Sequence, residues 1–138
     1  LAFISDRAGN RDIYVIEKEV KDGLCESDAD SKLGLYQLTD TEGSESDISW
    51  SPDGRQILFV SERDGNSEIY VMDSSGNNQV RLTQNDKTDK QPVWSPDGKN
   101  IAFVSDLDGD YDIFIMNSKG EDQKRLTNND ASDLSPSW

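Results

Sequence analysis

Histidine is absent from this 138-residue sequence, and cysteine occurs only once. Without imidazole the chain cannot build a Ser-His-Asp or Cys-His catalytic arrangement or a histidine-ligated zinc site. A single cysteine forms no internal disulfide, so cysteine usage leaves the redox compartment open. No apolar run approaches the roughly 20 residues that a membrane-spanning helix needs. These absences exclude the common nucleophilic enzymes and predict no membrane partner.

Basic residues are also scarce. The sequence has 14 Lys and Arg against 28 Asp and Glu, a formal net charge of −14. Such a chain is repelled by phosphate, which excludes nucleic acids and anionic membrane surfaces as partners. A mean hydropathy of −0.79 would permit disorder, but the order of the residues predicts a folded domain.

The sequence repeats itself with a period of 44 residues. Trp50, Trp94 and Trp138 lie 44 positions apart, and the first two are each followed by Ser-Pro-Asp-Gly. An earlier copy begins at Leu1 and carries about twelve extra residues. Repeats of this length are typical of stacked β units.

Each unit predicts four short antiparallel strands joined by tight turns. Proline sets φ at the first corner of the Ser-Pro-Asp-Gly turn, and glycine takes its left-handed position. The middle strands, such as Ile57–Val60 and Ile69–Met72, are apolar without alternation, so both of their faces must be covered. Stacked four-stranded meanders describe an all-β fold, a β-propeller with three four-stranded blades. A two-sheet sandwich is the alternative, but it does not require near-identical repeats.

The predicted segment of three blades spans residues 1–138. The boundaries are residues 1–39 for the second to fourth strands of blade 1 with an insertion at 17–34, 47–83 for blade 2, 91–127 for blade 3, and 134–138 for the first strand of a further blade. The insertion, which holds Cys25, predicts a mobile surface loop, with a binding element as the alternative.

Residues 50–72 and the Arg-Leu-Thr at 81–83 resemble the TolB-type, or WD40-like PD40, propeller repeat. Its pattern is W-S-P-D-G-K-x-I-A-F-x-S-x-R-D-G-N-x-x-I-Y-V-M with a later R-L-T, and it covers nearly the whole chain. The departures are the insertion and Leu107, where the pattern has arginine. The resemblance implies a six-bladed ring, protein partners at the loop faces or channel, and a periplasmic or secreted location, with a cytoplasmic one still open. Similar blades also occur in prolyl-oligopeptidase-like peptidases.

Acidic residues gather in the loops that a propeller places on one face. We expect Glu45, Asp89 and Asp133, which align at the 44-residue period, to form a carboxylate ring near one mouth of the channel and to contact a basic protein or peptide. The alternative is a solvated face that keeps the protein soluble. We also expect ion pairs within the hairpins, Arg7 with Asp12 and Arg63 with Glu68.

One acidic loop indicates a possible cation site. Asp106, Asp108, Asp110 and Asp112 alternate around Gly109, and calcium prefers several oxygen ligands. A solvated acidic turn is the alternative, and no other cofactor is predicted.

We predict a non-catalytic scaffold that binds a protein or peptide, not an enzyme, because Ser51 and Ser95 belong to turns and no lysine base is marked. The alternative is a calcium-binding or accessory module of a larger hydrolase or peptidase. Trp50 and Trp94 are expected to be buried between blades.

We expect two copies to form a homodimeric six-bladed ring, because three blades cannot close one. Residues 134–138 of each copy would then pair with residues 1–5 of the other. The assembly residues are Leu1, Phe3, Leu134, Pro136 and Trp138.

Overall fold

The computed structural model describes residues 1–18 and 33–138, so the centre of the predicted insertion, with Cys25, lies outside the described residues. The described residues form eleven β-strands in three antiparallel sheets and no helix. Accordingly, no helix in this part of the chain has the length and apolarity to span a membrane. The structure therefore confirms the all-β prediction.

Blade 1 has three strands, paired in the order β1-β2-β3. They are β1 (Ala2–Ser5), β2 (Asp12–Lys18) and β3 (Leu33–Gln37). The strands that correspond to β1 in the other blades each have an inner neighbour, and β1 has none among the described residues.

Blades 2 and 3 are four-stranded meanders in chain order. Blade 2 contains β4 (Glu45–Trp50), β5 (Gln56–Ser61), β6 (Glu68–Asp73) and β7 (Val80–Arg81). Blade 3 contains β8 (Asp89–Trp94), β9 (Asn100–Ser105), β10 (Asp112–Asn117) and β11 (Lys124–Arg125). The equivalent strands start 44 residues apart, as the repeat predicts.

Two apolar clusters hold the blades face to face. Blade 1 packs Ile13 and Val15 against Ile57, Phe59 and Met72 of blade 2. On the opposite face of blade 2, a second cluster joins it to blade 3; its members are Leu58, Val60, Ile69, Val71, Leu82, Trp94, Ile101, Phe103, Phe114 and Met116. Because successive residues of a strand point to opposite faces, β5 and β6 each supply both clusters. This explains why their sequences are apolar without alternation.

The inner strands β4 and β8 carry the same irregularity. Their register shifts between Ser46 and Ser49 and between Lys90 and Val93. At these points Asp47 and Gln91 have positive φ, 49° and 53°. The extra residue is a β-bulge, and it changes which side chains of the strand face inward.

The tryptophan prediction is right for Trp94 and wrong for Trp50. Trp94 is 6% exposed and belongs to the cluster between blades 2 and 3, whereas Trp50 is 36% exposed. The reason is the neighbouring inner strand. β4 lies beside β8, but described blade 1 has no inner strand beside Trp50.

Candidate functional site

One end of the stacked blades is a continuous surface of loops, called here the loop face. It consists of the loops between the second and third strands of each blade (6–11, 62–67 and 106–111) and the loops after each blade (38–44, 82–88 and 126–132). Asn66 Nδ2 donates to the carbonyl oxygens of Asn85 and Lys87, at 3.1 and 2.5 Å. Asn10 Nδ2 donates in the same way to those of Thr41 and Gly43. In blades 1 and 2 these bonds tie the loop between the second and third strands to the loop after the blade, so these neighbouring loops form one surface. The equivalent residue of blade 3 is Asp110, which has no amide group to donate.

The loop face also connects backwards along the chain. The Glu62 amide donates to the Ser44 carbonyl at 3.1 Å, and the Thr88 amide donates to Asp106 Oδ1 at 2.7 Å. Exposed carboxylates on this surface are Asp6, Asp40, Glu42, Glu62, Asp64, Asp86, Asp108 and Asp130. Basic side chains are fewer, so the surface presents negative charge to solvent.

Five acids that the sequence assigned to this face are instead buried: Asp12, Glu45, Glu68, Asp89 and Asp112. The partner-contact prediction for Glu45 and Asp89 therefore needs correction, since neither exposes any surface. Asp133, by contrast, is half-buried and accepts from Asn129 Nδ2 at 2.8 Å. Sequence reasoning missed the bulge that follows Glu45 and Asp89. Aspartate, as at Asp47, is enriched at positive φ, but glutamine, as at Gln91, is not, so the two copies of the repeat gave no common signal.

Burial raises the pKa of Glu45, although hydrogen bonds from Ser61, Thr41 and Thr39 and the charge of Arg63 act against it. Burial likewise raises the pKa of Asp89, although the neighbouring polar groups of Ser105, Asn85 and Thr83 act against the rise. At both groups the cost of desolvating the carboxylate thus outweighs the stabilisation that the neighbouring donors supply.

The predicted ion pairs within the hairpins are wrong. Glu68 is held by Arg81 of the Arg-Leu-Thr motif instead of Arg63, and Asp12 is held by Gln37 and Thr39 instead of Arg7. Arg81 Nη2 lies 2.8 Å from Glu68 Oε1, and Arg125 Nη2 lies 2.5 Å from Asp112 Oδ2. Both arginines also reach an exposed aspartate, Asp64 or Asp108. The recurrence of arginine at positions 81 and 125, 44 residues apart, was the sequence signal from which these ion pairs could have been predicted.

Arg7 and Arg63 have a different role from the one expected. The Arg63 guanidinium lies 4.6 Å from the Tyr70 ring centre and 5.4 Å from that of Phe59. Arg7 covers the stacked rings of Tyr14 and Phe3 in the same way, at 4.5 and 5.3 Å. These are cation–π contacts over aromatic pairs.

The proposed calcium loop does not converge. Asp108 and Asp112 are both paired with Arg125, and Asp106 accepts the Thr88 amide. Asp110 has one buried carboxylate oxygen without a partner. Within residues 1–18 and 33–138 no three acidic or cysteine side chains are placed to share a metal ion. The calcium site is therefore corrected to an arginine-bridged turn.

The serines of the Ser-Pro-Asp-Gly turns are structural. Ser51 Oγ donates to Asp53 Oδ1 at 2.7 Å and accepts from the Gln56 amide at 2.9 Å. Ser95 repeats both bonds with Asp97 and Asn100. Hydrogen bonding from these serines holds the pKa of Asp53 and of Asp97 below its ordinary value. Neither hydroxyl is available as a nucleophile.

The residues predicted to mediate assembly lie at the two flanks of the stack. Leu1, Leu134 and Trp138 are exposed, and Phe3 and Pro136 are half-buried. The Ser135 amide donates to Gln91 Oε1 at 2.8 Å, just as the Gln91 amide donates to Asp47 Oδ2 at 3.0 Å. Residues 134–138 thus lie beside β8 in the position that β8 takes beside β4.

The sequence model of the PD40 family, described as the TolB beta propeller domain, matches residues 1–106. The chain belongs to this TolB β-propeller family.

Two solved TolB structures show the same architecture. A protein of Agrobacterium tumefaciens assigned as a TolB superposes with a TM-score of 0.76 at 24% identity, covering 98% of this chain and 44% of that one. TolB of Acinetobacter baumannii gives a TM-score of 0.66 at 27% identity, covering 95% and 30%. The chain thus spans less than half of either TolB structure.

Peptidases also contain this kind of propeller. The uncharacterized peptidase YuxL of Bacillus subtilis (strain 168) is 37% identical over 51 residues, which are 36% of this chain and 8% of that protein. A puromycin hydrolase structure superposes with a TM-score of 0.58 at 18% identity over 69% of this chain and 16% of that one, a likeness of fold alone.

Proposed function

We propose that this chain is a non-catalytic propeller module that binds a basic protein segment or peptide through the loop face. The observation that carries the proposal is the hydrogen-bonded continuity of that face. Asn10, Asn66 and Asp106 fix neighbouring loops to one another, so the exposed carboxylates keep their spacing. A preorganised charged surface gains in specificity and association rate when it meets a complementary partner.

Charge-reversal variants test the location of binding, with a fluorescent lysine-rich peptide as the probe. Glu42→Lys with Asp86→Lys reverses two exposed charges on the loop face. Asp53→Lys with Asp97→Lys makes the same change of charge in the Ser-Pro-Asp-Gly turns, at the other ends of the inner strands. We expect the loop-face variant to weaken peptide binding at low salt about tenfold or more and the control to weaken it far less. Equal losses in both variants would mean that net charge alone attracts the peptide.

We further propose that the ring is completed by a second copy, which makes six blades. Support comes from the exposed apolar residues at both flanks and from residues 134–138, which extend beyond blade 3. In the dimer, this segment of each copy would pair with residues 1–5 of the other. The seam between two copies would lack one hydrogen bond that both seams within the chain have. Gln79 and Gln123 donate to the carbonyls of Leu38 and Leu82 in the preceding blade. The equivalent residue of blade 1 is Leu35, which has no group to donate.

Light scattering tests the assembly. A mass near twice 15.4 kDa supports the ring, and removal of residues 134–138 is then expected to give monomers. A folded monomer of the full 138 residues contradicts the proposal.

A second candidate function is an accessory propeller of a larger peptidase, supported by the stretch that matches YuxL. The test is to sequence the gene on both sides of the segment encoding these 138 residues. A hydrolase domain in the same reading frame would favour this candidate, and further propeller repeats without one would favour the partner-binding module.

A further inference from the structure

Each seam between described blades buries a pair of carboxyl groups, one from each blade, on either side of a threonine. At the first seam these are Asp12 of blade 1 and Glu45 of blade 2, with Thr39 between them. At the second seam they are Glu68 of blade 2 and Asp89 of blade 3, and Thr83 lies beside both. All four acids are fully buried.

A count of hydrogens at the first seam leaves one position unfilled. Thr39 Oγ1 accepts from the Ile13 amide at 2.8 Å. The same oxygen lies 3.3 Å from Asp12 Oδ1 and 3.1 Å from Glu45 Oε2. A hydroxyl has one hydrogen and can donate it to only one carboxylate. If both acids were ionised, one buried carboxylate oxygen would face the threonine oxygen without a hydrogen between them.

A proton on the pair satisfies every contact. Glu45 Oε2–H would donate to Thr39 Oγ1, and Thr39 would donate to Asp12 Oδ1. The other Glu45 oxygen, Oε1, keeps the hydroxyls of Ser61 and Thr41 at 2.9 Å and Arg63 Nη2 at 3.5 Å. Asp12 Oδ2 accepts only from the neutral amide of Gln37, at 3.1 Å. Arg63 is thus the one cation beside this pair in the described chain.

The second seam has the same shortage at Asp89. Both carboxylate oxygens of Glu68 have hydrogen-bond donors. Arg81, Asn66 and the Asn85 amide lie within 3.0 Å of Oε1, and the Thr83 hydroxyl lies 2.5 Å from Oε2. Asp89 Oδ2 accepts from Asn85 Nδ2 at 2.7 Å, but Asp89 Oδ1 is buried and has no partner. The position equivalent to Arg63 is Leu107, so no arginine reaches Asp89 from there.

We propose that each of these two seams holds one proton on its pair of buried carboxyl groups, at Glu45 Oε2 in the first seam and at Asp89 Oδ1 in the second, and that this proton stabilises the contact between the blades. The direction of the Glu45 and Asp89 pKa shifts agrees with this assignment.

The consequence is a pH dependence of defined sign. Above the ordinary pKa values of 4.5 for Glu and 3.8 for Asp, the folded chain binds protons that the unfolded chain has lost. The free energy of unfolding therefore falls as pH rises, until the proton also leaves the folded state. Within that range each seam raises the unfolding constant by up to about tenfold per pH unit.

Matched amide variants of the 138-residue chain test each seam by urea unfolding between about pH 5 and pH 8. Glu45→Gln imitates the protonated acid, and Glu42→Gln, three residues earlier and exposed, removes the same charge. Asp89→Asn and Asp86→Asn form the equivalent pair for the second seam. In the parent chain each seam is expected to raise the unfolding constant by up to about tenfold per pH unit. We expect Glu45→Gln and Asp89→Asn each to remove the contribution of one seam, and the control variants to keep the pH dependence of the parent chain.

Infrared spectroscopy gives a second readout on the folded protein. We expect a protonated-carboxyl band near neutral pH in the parent chain, absent from the double variant E45Q/D89N and retained in E42Q/D86N. A seam whose amide variant keeps the pH dependence of its control has no such proton, and the proposal is wrong there. An amide variant that fails to fold where its control folds also overturns it, since the neutral amide replaces a neutral acid.

Discussion

Blades 2 and 3 have nearly the same sequence but differ in burial. β6 of blade 2 is buried along its length, with Ile69 at 0% and Val71 at 7% exposure, whereas Ile113 and Ile115 at the same positions of β10 are half-buried. Leu82 is 8% exposed and its equivalent Leu126 is 54% exposed. The difference comes from the neighbours, because blade 2 has a blade on each face and blade 3 has one. An apolar run in a strand thus indicates how many of its faces are expected to be covered by neighbouring blades.

The largest effect is expected at the tryptophans. Trp94→Ala is expected to lower the free energy of unfolding by about 3–5 kcal/mol, because a large side chain is removed from a filled seam. Trp50→Ala is expected to lower it by at most about 2 kcal/mol, since Trp50 already retains contact with water. Urea unfolding followed by far-UV circular dichroism measures both, as neither variant keeps all of its tryptophan fluorescence. Equal losses would mean that Trp50 is covered in solution.

Ile69 of blade 2 and Ile113 of blade 3 occupy the same repeat position, so they compare the two blades with a single residue type. Ile69→Ala is expected to lower the free energy of unfolding by about 2–5 kcal/mol, and Ile113→Ala by about 1 kcal/mol or less. Unfolding midpoints measured at low and high protein concentration also test assembly. If a second copy covers blade 3, the loss for Ile113→Ala grows with concentration while that for Ile69→Ala does not.

Two turn glycines with positive φ allow the effect of contact between blades on stability to be separated from the effect of backbone strain. Gly120 has φ of +84°, and a Cβ there would lie 2.7 Å from the carbonyl oxygen of Leu82 in blade 2. Gly109 has φ of +110° but open space around its Cβ position. Both alanine variants are strained, by about 1–3 kcal/mol, and Gly120→Ala must also displace the neighbouring blade. A lower thermal midpoint for Gly120→Ala than for Gly109→Ala is expected, and the reverse order would contradict close contact at this seam.

Much of the fold could be predicted from the sequence because the repeat itself carries the information. The apolar runs Ile57–Val60 and Ile69–Met72, from which two middle strands were predicted, extend by one residue at each end to give β5 and β6. The burial of Glu45 and Asp89 could not be predicted, because each is followed by a bulge, at Asp47 and Gln91, that the repeat pattern does not indicate. Trp50 and Trp94 share one sequence context, so their difference lies only in which strands surround them. Arg63 was assigned to Glu68, which Arg81 holds instead, since an arginine is equally suited to pair with a carboxylate or to stack on an aromatic ring.

The smallest expected effect is a gain, at the repeat position where blade 2 has Arg63 and blade 3 has Leu107. Arg63 covers the Phe59–Tyr70 pair and donates to Ser61 at 2.9 Å, Gln79 at 2.7 Å and Glu45 at 3.5 Å. Blade 3 has an equivalent of each of these groups. The stacked pair Phe103–Phe114 corresponds to Phe59–Tyr70, and Ser105, Gln123 and Asp89 correspond to Ser61, Gln79 and Glu45. Leu107, at the arginine position, is 44% exposed.

Leu107→Arg is therefore expected to raise the free energy of unfolding by about 0.5–1 kcal/mol through the cation–π contact. The gain should increase with pH, because a guanidinium beside Asp89 favours the ionised carboxyl. Leu107→Lys is the control, since it adds the same charge without a planar group that can stack on the rings and hydrogen-bond beyond them. Urea unfolding at two pH values distinguishes the variants. A lysine variant as stable as the arginine variant would show that charge alone, and not the stacking seen at Arg63, separates the two blades at this position.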